Sequence, residues 1–436
     1  MNADIRPIRT PAEQALIAAL ERPVAAAGGR LADLRAAAAR AFIEHGLPHR
    51  RVEEWKYTDL RALMREAAPA VGPATVAQAE ATARAFAEVD ARRIVVANGA
   101  VVPELSDLAP EPGLTVLPLA QALTEGHPLL SRLGGLLPAR YDASLALNTA
   151  LATDGVVLHV AAGARIARPV HVAHAFSGGV AASYARTLVV VEEGAHLTYV
   201  ESFEGPDGVA YQANTATELM VGDHASLEVV RLQAEGVAAF HLATLLFEIG
   251  RQADVRGFTF TAGAAVSRTS LYATFAGDES KAAFNGAVLL RGRQHADSTL
   301  FVDHTVPGCE SRELFKHVLD DGSRGVFQGK IVVRQAAQKT DGRMMSRALA
   351  LSDDAEMDNK PELEIFADDV ACGHGATCGA IDEELLFYLR ARGIPEREAQ
   401  GLLVQAFLGE AIETVQHDGL REALLERSES WLKARG

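Results

Sequence analysis

Four short stretches decide the fold: Val160-Ala-Ala-Gly-Ala164-Arg-Ile166, Val191-Glu-Glu-Gly-Ala195-His-Leu197, Val221-Gly-Asp-His-Ala225-Ser-Leu227 and Ile249-Gly-Arg-Gln-Ala253-Asp-Val255. Each runs apolar residue, three small or polar residues, alanine, any residue, apolar residue, and the alanines are 31, 30 and 28 residues apart. A period near 30 that carries short strands and tight turns describes stacked units, none of which can bury its apolar face alone. A constant small side chain after a turn fits a stacked corner, where large groups from successive turns would collide. Helical periodicity is nearly absent from about residue 155 to 370, which excludes a doubly wound sheet and favours a parallel β-helix over a sandwich. After a looser stretch the frame returns as Leu351-Ser-Asp-Asp-Ala355-Glu-Met357.

The flanks read differently. Before residue 90 the chain is alanine-rich and helical, with Leu31, Leu34, Ala38, Phe42 and Ile43 at helical spacing and Gly46 then Pro48 as the stop. The basic and aromatic run from Pro48 to Asp59 invites a nucleic-acid reading, but Glu53, Glu54 and Asp59 interleave with its bases. A chain entry with Trp55 docked is the better account. Ile94-Val-Val-Ala, Asn98-Gly99, then Ala-Val-Val102 spells a hairpin, since Asn-Gly tolerates the positive φ angles of a type I′ turn. It is read as a small mixed segment closing the N-terminal part. After residue 380, Asp382 caps a helix ended by Gly393, and Pro395 opens another with Leu403, Phe407 and Ala411 on a broad apolar face. A last helix carries Leu420, Leu424, Trp431 and Leu432. Such short helices are expected to cap the solenoid, to dock on another protein, or both. The organisation expected is 1–150 helical and mixed, 151–380 the β-helix, and 381–436 helical.

Composition bounds the function. The 436 residues hold 42 basic against 57 acidic side chains, a net charge of −15, which argues against a phosphate backbone or an anionic bilayer as main partner. Three cysteines make no disulfide framework and point to a reducing compartment. Ala15 to Leu20 is cut off by Glu21, Arg22 and Pro23, too short for a signal or spanning segment, and Asp4 and Glu13 oppose a transit peptide. A cytoplasmic protein is expected.

Two phosphate-loop look-alikes fail. In Gly325-Val-Phe-Gln-Gly-Lys330-Ile331 the residue five before Gly329 is Arg324, and Ile331 stands where a hydroxyl must hold magnesium. Gly373-His-Gly375-Ala-Thr-Cys378 begins like a dinucleotide fingerprint but ends in Cys and opens no βαβ unit. The sharpest local feature is Cys372-Gly-His374-Gly-Ala-Thr-Cys378. On an extended chain Cys372 and His374 face one way, and a thiolate with an imidazole suits zinc or an iron–sulfur unit. Two or three ligands leave a tetrahedral site open, so further donors would come from elsewhere or from another chain. Small core cysteines and a satisfied turn histidine are the competing reading, and spacing leaves both standing.

Residues 353 to 384 hold eleven acidic side chains against the single base Lys360, either a cation- or base-attracting patch or solvated outer strand faces. His159, His171 and His174 are read as surface or satisfied histidines. His304 and Cys309 lie in one turn-rich stretch and are a weaker candidate pair for a shared site. Lys339 and Asp341 are a conceivable catalytic pair that nothing in their spacing demands.

Gly329-Lys-Ile-Val-Val333, Ala337-Gln-Lys-Thr-Asp-Gly342, Lys360-Pro-Glu-Leu-Glu-Ile365, Ala367-Asp-Asp-Val-Ala-Cys-Gly-His-Gly-Ala-Thr377 and Phe387-Tyr-Leu-Arg-Ala-Arg-Gly-Ile394 together resemble the SufB/SufD family of iron–sulfur cluster assembly proteins. Glu53-Glu-Trp-Lys-Tyr-Thr-Asp-Leu60, and Ala146-Leu-Asn-Thr-Ala150 before Asp154-Gly155, look like its SufD branch. The resemblance implies a mainly β protein: a right-handed parallel β-helix core between an N-terminal helical or mixed region and a C-terminal helical domain. It implies a non-enzymatic scaffold that pairs with SufB through the β-helix and binds the ATPase SufC through its C-terminal helices. ATP chemistry then belongs to SufC, and sulfur arrives indirectly from a cysteine desulfurase. By motif, Cys372 and His374 fall where the family holds a transient iron–sulfur cluster shared with SufB. An open site of that kind implies no stable cofactor in the isolated chain, and a homodimer is conceivable there. Cys378 departs from the family's usual apolar residue and is read as an isostere of valine, and Cys309 has no assigned role. The SufB scaffold itself and a β-helix polysaccharide-active enzyme are the alternatives carried forward.

Overall fold

A computed structural model describes residues 9–22 and 29–434, so Asp4 and Pro23 lie outside the described residues. From Val156 onward the chain alternates between a ten-stranded and a nine-stranded sheet. Ala182–Val191 belongs to the second, His196–Glu204 to the first and Gln212–Val221 to the second again. Each strand pairs in parallel with the strand one turn later, as Ala182 with Gln212 and Phe240 with Val266. The architecture is a mainly β solenoid, a parallel β-helix of two facing sheets, with helices toward both termini. Among the described residues no helix is long and apolar enough to cross a membrane.

The repeated alanines occupy one corner of the coil. Ala195, Ala225 and Ala253 are 1–2 % exposed and each precedes a strand whose first residues are in register, His196 with Ser226 and Ser226 with Asp254. The same register carries the column on to Ser280, Cys309, Thr340 and Val370. The corner therefore continues through the stretch that looked irregular, with small polar residues in place of alanine. The residue just before it takes a positive φ in turn after turn: Gly163, Gly194, His224, Gln252, Glu279, Gly308 and Lys339. Only a tight left-handed step redirects the chain from one sheet into the other there. Ala355 does not belong to this column. It precedes Glu356, which pairs with Arg324 in the nine-stranded sheet, and so lies at the opposite corner.

Inside the coil, inward side chains such as Val172, Leu197, Leu227, Leu245, Ala273 and Ile331 stack into one apolar core. Some charges are admitted there as pairs. Arg231 Nε bonds Glu201 at 2.7 Å, and Thr217 and Tyr199 donate hydroxyls to the same carboxylate. Removing one partner of such a pair typically costs about 3–5 kcal/mol, because the other charge is left buried.

The hairpin of residues 92–101 has the expected turn, with Asn98 and Gly99 at φ 52° and 86°. Its first strand, Arg92–Ala97, does more than close the N-terminal part: it joins the ten-stranded sheet beside Val170–Ala175. Trp55 is docked and 2 % exposed. The Arg268 guanidinium lies 3.9 Å from its ring centre, donates to the Glu54 carbonyl at 2.9 Å, and pairs with buried Asp297. Its neighbours Glu53 and Glu54 pair with Lys360 and Arg140.

The C-terminal helices are Glu383–Arg390, Glu396–Ile412 and Asp418–Lys433. They do not cap the end of the coil. Val404, Leu408, Ala411, Leu420 and Leu424 pack on Val200, Val230, Phe258, Phe260 and Leu289, the outward face of the ten-stranded sheet. That face is apolar, so the longer helices find their burial along the side of the solenoid and leave its last turn open.

Candidate functional site at the open end of the solenoid

The last turn consists of Glu356–Ile365 and Ala371–Gly379, the terminal strands of the two sheets. Each pairs on one side only, with Arg324–Val333 and Asp341–Ala350 respectively. An edge strand presents a row of backbone donors and acceptors to any strand that comes alongside. The two edges are defended differently. Glu356–Ile365 carries Glu356, Asp358, Lys360, Pro361, Glu362 and Glu364, the charges and proline that discourage pairing. Ala371–Gly379 contains neither proline nor any Asp, Glu, Lys or Arg.

Cys372 and His374 lie on this uncharged edge. Register sets Cys372 opposite Gly342, His374 opposite Met344, Ala376 opposite Ser346 and Cys378 opposite Ala348. Gly342, Met344, Ser346 and Ala348 are the inward residues of their strand, so alternation turns both cysteines and the histidine inward as well. Cys372 is half-buried against the core, whereas His374 and Cys378 are exposed because no further turn covers them. Burial pushes the Cys372 thiol up, and the nearby carboxyls of Asp341 and Glu313 push the same way. A metal ion that took this sulfur as a ligand would displace its proton. Among the described residues no three His, Cys, Asp or Glu side chains form a group that could hold a metal ion.

One residue of this region was passed over in the sequence. Glu313 occupies the inward column that runs through Met344 to His374. It is 3 % exposed, and no hydrogen bond reaches either carboxyl oxygen. Burial pushes it up to about 8, which the nearby Ser311 hydroxyl and Arg312 charge only partly offset. The available signal was a carboxylate at an inward position of a strand, legible only once the register is known.

The remaining candidates are not brought to this site. Cys309 is buried in the corner column, its sulfur 3.5 Å from the Gly277 carbonyl oxygen. His304 stacks on Phe275 with ring centres 4.4 Å apart, and burial lowers it to about 4. Lys339 pairs with Asp369, while Asp341 pairs with Arg312 and Arg343, so the proposed catalytic pair is divided. His159 reaches Glu192 at 3.3 Å. His171 is buried and bonded to Ser202 at 2.8 Å. His174 stacks on Phe203, and its Nε2 has no partner. Five of the eleven acidic side chains are ion-paired, Glu356 and Asp358 with Arg324, Glu362 with Lys360, Glu364 with Lys330 and Asp369 with Lys339, and a sixth, Asp382, caps the next helix. Both phosphate-loop look-alikes are strands, within Arg324–Val333 and Ala371–Gly379.

The family described as "SUF system FeS cluster assembly, SufBD core domain" matches residues 173–407, and the SufBD N-terminal region matches residues 24–172. A SufBD family iron–sulfur cluster assembly protein of Synechocystis is 32% identical over 92% of this chain and 90% of its own length. The iron–sulfur cluster assembly protein SufD of Escherichia coli is 32% identical over 88% of this chain and 89% of its own, and SufD of Bacillus subtilis is 28% identical over 66% of each. The two family matches together run from residue 24 to residue 407, into the helix Glu396–Ile412. The chain belongs to the SufBD family of iron–sulfur cluster assembly proteins and is SufD-like.

Proposed function

We propose that this chain is a scaffold subunit, without catalysis of its own, on which a nascent iron–sulfur cluster is held between its last β-helix turn and a partner chain. The cluster is cargo, built and passed on. Cys372 supplies a thiolate and His374 an imidazole, a donor pair suited to iron in a sulfur-rich site. The paralogue SufB lies along Ala371–Gly379, extends the sheet through that edge, and contributes the remaining ligands. The observation that carries this reading is the uncapped last turn: a thiol and an imidazole sit on the strand of that turn that has no charge or proline to repel a neighbour.

The helix Glu383–Arg390 is the docking element for the ATPase SufC. None of its residues is buried, and Leu385, Phe387 and Tyr388 are exposed on it, as is Leu402 on the next helix. Apolar side chains grouped this way favour a partner surface. Hydrolysis in SufC would move the helical arm relative to the open turn and so expose or close the cluster site.

Anaerobic affinity purification of the tagged chain from its own host tests the proposal. Recovery of SufB and SufC in fixed stoichiometry is the expected result. Recovery of the chain alone at native expression would overturn it.

A further inference from the structure

The outer side of the open strand is nearly bare. Alternation turns Gly373, Gly375 and Thr377 outward, away from Cys372 and His374. Register sets three outward columns behind them: Arg312–Arg343–Gly373, Leu314–Met345–Gly375 and Lys316–Arg347–Thr377. A Cβ built at Gly373 would meet nothing within 4 Å, so that position is open. At Gly375 it would lie 2.7 Å from the Met345 methyl, so Met345 lies over the strand there. Arg312, Leu314, Arg343, Met345, Arg347 and Glu410 of the helix Glu396–Ile412 line an open groove of about 590 Å³ against this strand. Its charge is positive. Arg312 and Arg343 share Asp341, at 2.7 and 3.1 Å, and Arg347 shares Glu410 with buried Lys316. Glu310 stands 4.0 Å from Arg312 but closer to Lys281, at 3.2 Å, and Glu313 points into the core. Four bases therefore meet two carboxylates, in a chain whose net charge is −15. Arg343 is the most open of the four, its side chain 65 % exposed against 42 % for Arg347 and 39 % for Arg312.

Backbone pairing at an edge accepts any strand, and side chains must select one. A strand laid against this edge sits about 4.8 Å beyond it, so its residue in register with Gly373 is roughly 10 Å from Arg343 at the Cα atoms. A guanidinium and a carboxylate leaning toward each other span that distance across a glycine. We propose that the groove reads the incoming strand by charge: a carboxylate of SufB, in register with Gly373, pairs with Arg343 across the bare edge, and the side chain two residues along rests on Met345. This rests on the reading of Ala371–Gly379 as the edge on which SufB lies and deepens it. The pair also fixes register. The residue of the incoming strand beside that acid, in register with His374, faces inward, where the proposed cluster takes its partner's ligand. A slip of one residue would turn the acid into the core and the ligand out.

Purified SufB is titrated anaerobically into the full-length chain as wild type, Arg343→Glu and Arg343→Met, at low and at high sodium chloride. Expected are a Kd raised about 10-fold or more in Arg343→Glu, where like charges meet, and about threefold or more in Arg343→Met. Salt should weaken the wild type and tighten Arg343→Glu, since screening relieves repulsion as it weakens attraction. Both variants should melt within about 2 °C of wild type, because the side chain is exposed; if Arg343→Glu melts lower, Arg343→Met decides. A Kd within about threefold of wild type in Arg343→Glu overturns the proposal and leaves SufB on this edge. A weakened Arg343→Glu that salt does not relieve assigns Arg343 to the structure of its own strand and also overturns it. Self-association of the chain that Arg343→Glu abolishes, with SufB affinity unchanged, gives the groove to a second copy and overturns it as well. No binding of SufB by the wild type overturns the reading of the edge and the proposal together.

Discussion

Phe387 is 73 % exposed on a helix that buries none of its residues. A phenylalanine presents roughly 200 Å² of apolar surface. Covering the exposed part removes about 150 Å² from water, or ~3–4 kcal/mol at about 25 cal/mol per Å². Ordering costs on association take back a share, and truncations at the centre of an interface read at about 2 kcal/mol or more. Phe387→Ala should therefore raise the Kd for the ATPase partner roughly 30- to 400-fold. The same substitution should shift the melting temperature by less than about 2 °C, because an exposed side chain contributes little to the fold. Isothermal titration of purified SufC into wild type and variant reads the first number, and calorimetry the second. A Kd within threefold of wild type would refute the assignment of this helix as the docking element. A large fall in stability would refute the premise that its apolar face is free.

Three further outcomes follow from the geometry. Arg268→Met should lose about 3–5 kcal/mol in urea unfolding because Asp297 is left charged and buried; adding Asp297→Asn should restore part of it, and a single-variant loss under about 1 kcal/mol would show the pair to be dispensable. Cys309→Ala should change stability by no more than about 1 kcal/mol and leave cluster content unaltered, since alanine holds the same corner at Ala195, Ala225 and Ala253; lost iron would return Cys309 to the site. His304 is held near 4 by burial, below its ordinary 6.5, so the unfolded chain takes up the proton first. Its contribution, of order 3 kcal/mol, is complete above about pH 6.5 and is lost as pH falls toward 4. His304→Phe should flatten the fall of melting temperature across that window, and parallel curves for wild type and variant would count against it.

How far the residues alone could be read depends on which contacts they make. The solenoid was legible because a corner repeats a local constraint. A small side chain after a left-handed step recurs at Ala164, Ala195, Ala225 and Ala253, and the period falls out of the spacing. The column was lost at Ser280, Cys309 and Thr340, where small polar residues satisfy the same steric demand without looking alike. Ala355 imitated the pattern because the opposite corner imposes a similar one. The hairpin at Asn98-Gly99 was legible from turn chemistry, but its membership of the ten-stranded sheet was not, because parallel pairing with Val170–Ala175 is set by register across some 80 residues.

The helices after residue 380 were recognisable as amphipathic. What their faces cover could not be read, since Val404 and Leu408 meet Phe258 and Phe260 only through the winding of the coil. At the site, Cys372 and His374 stood out through strand alternation. The exposure of His374 at an uncapped end and the orphaned Glu313 beneath it depend on which strand comes last and on the register of the two strands before the edge.

The central claim is tested most directly by iron and sulfide content. The complex containing this chain is isolated anaerobically as wild type and as His374→Ala, and both ions are determined per complex beside subunit stoichiometry. The account predicts bound iron and sulfide in the wild type and their loss in the variant with the subunits still together. Equal iron and sulfide in the two would remove His374 from the cluster site and contradict the account.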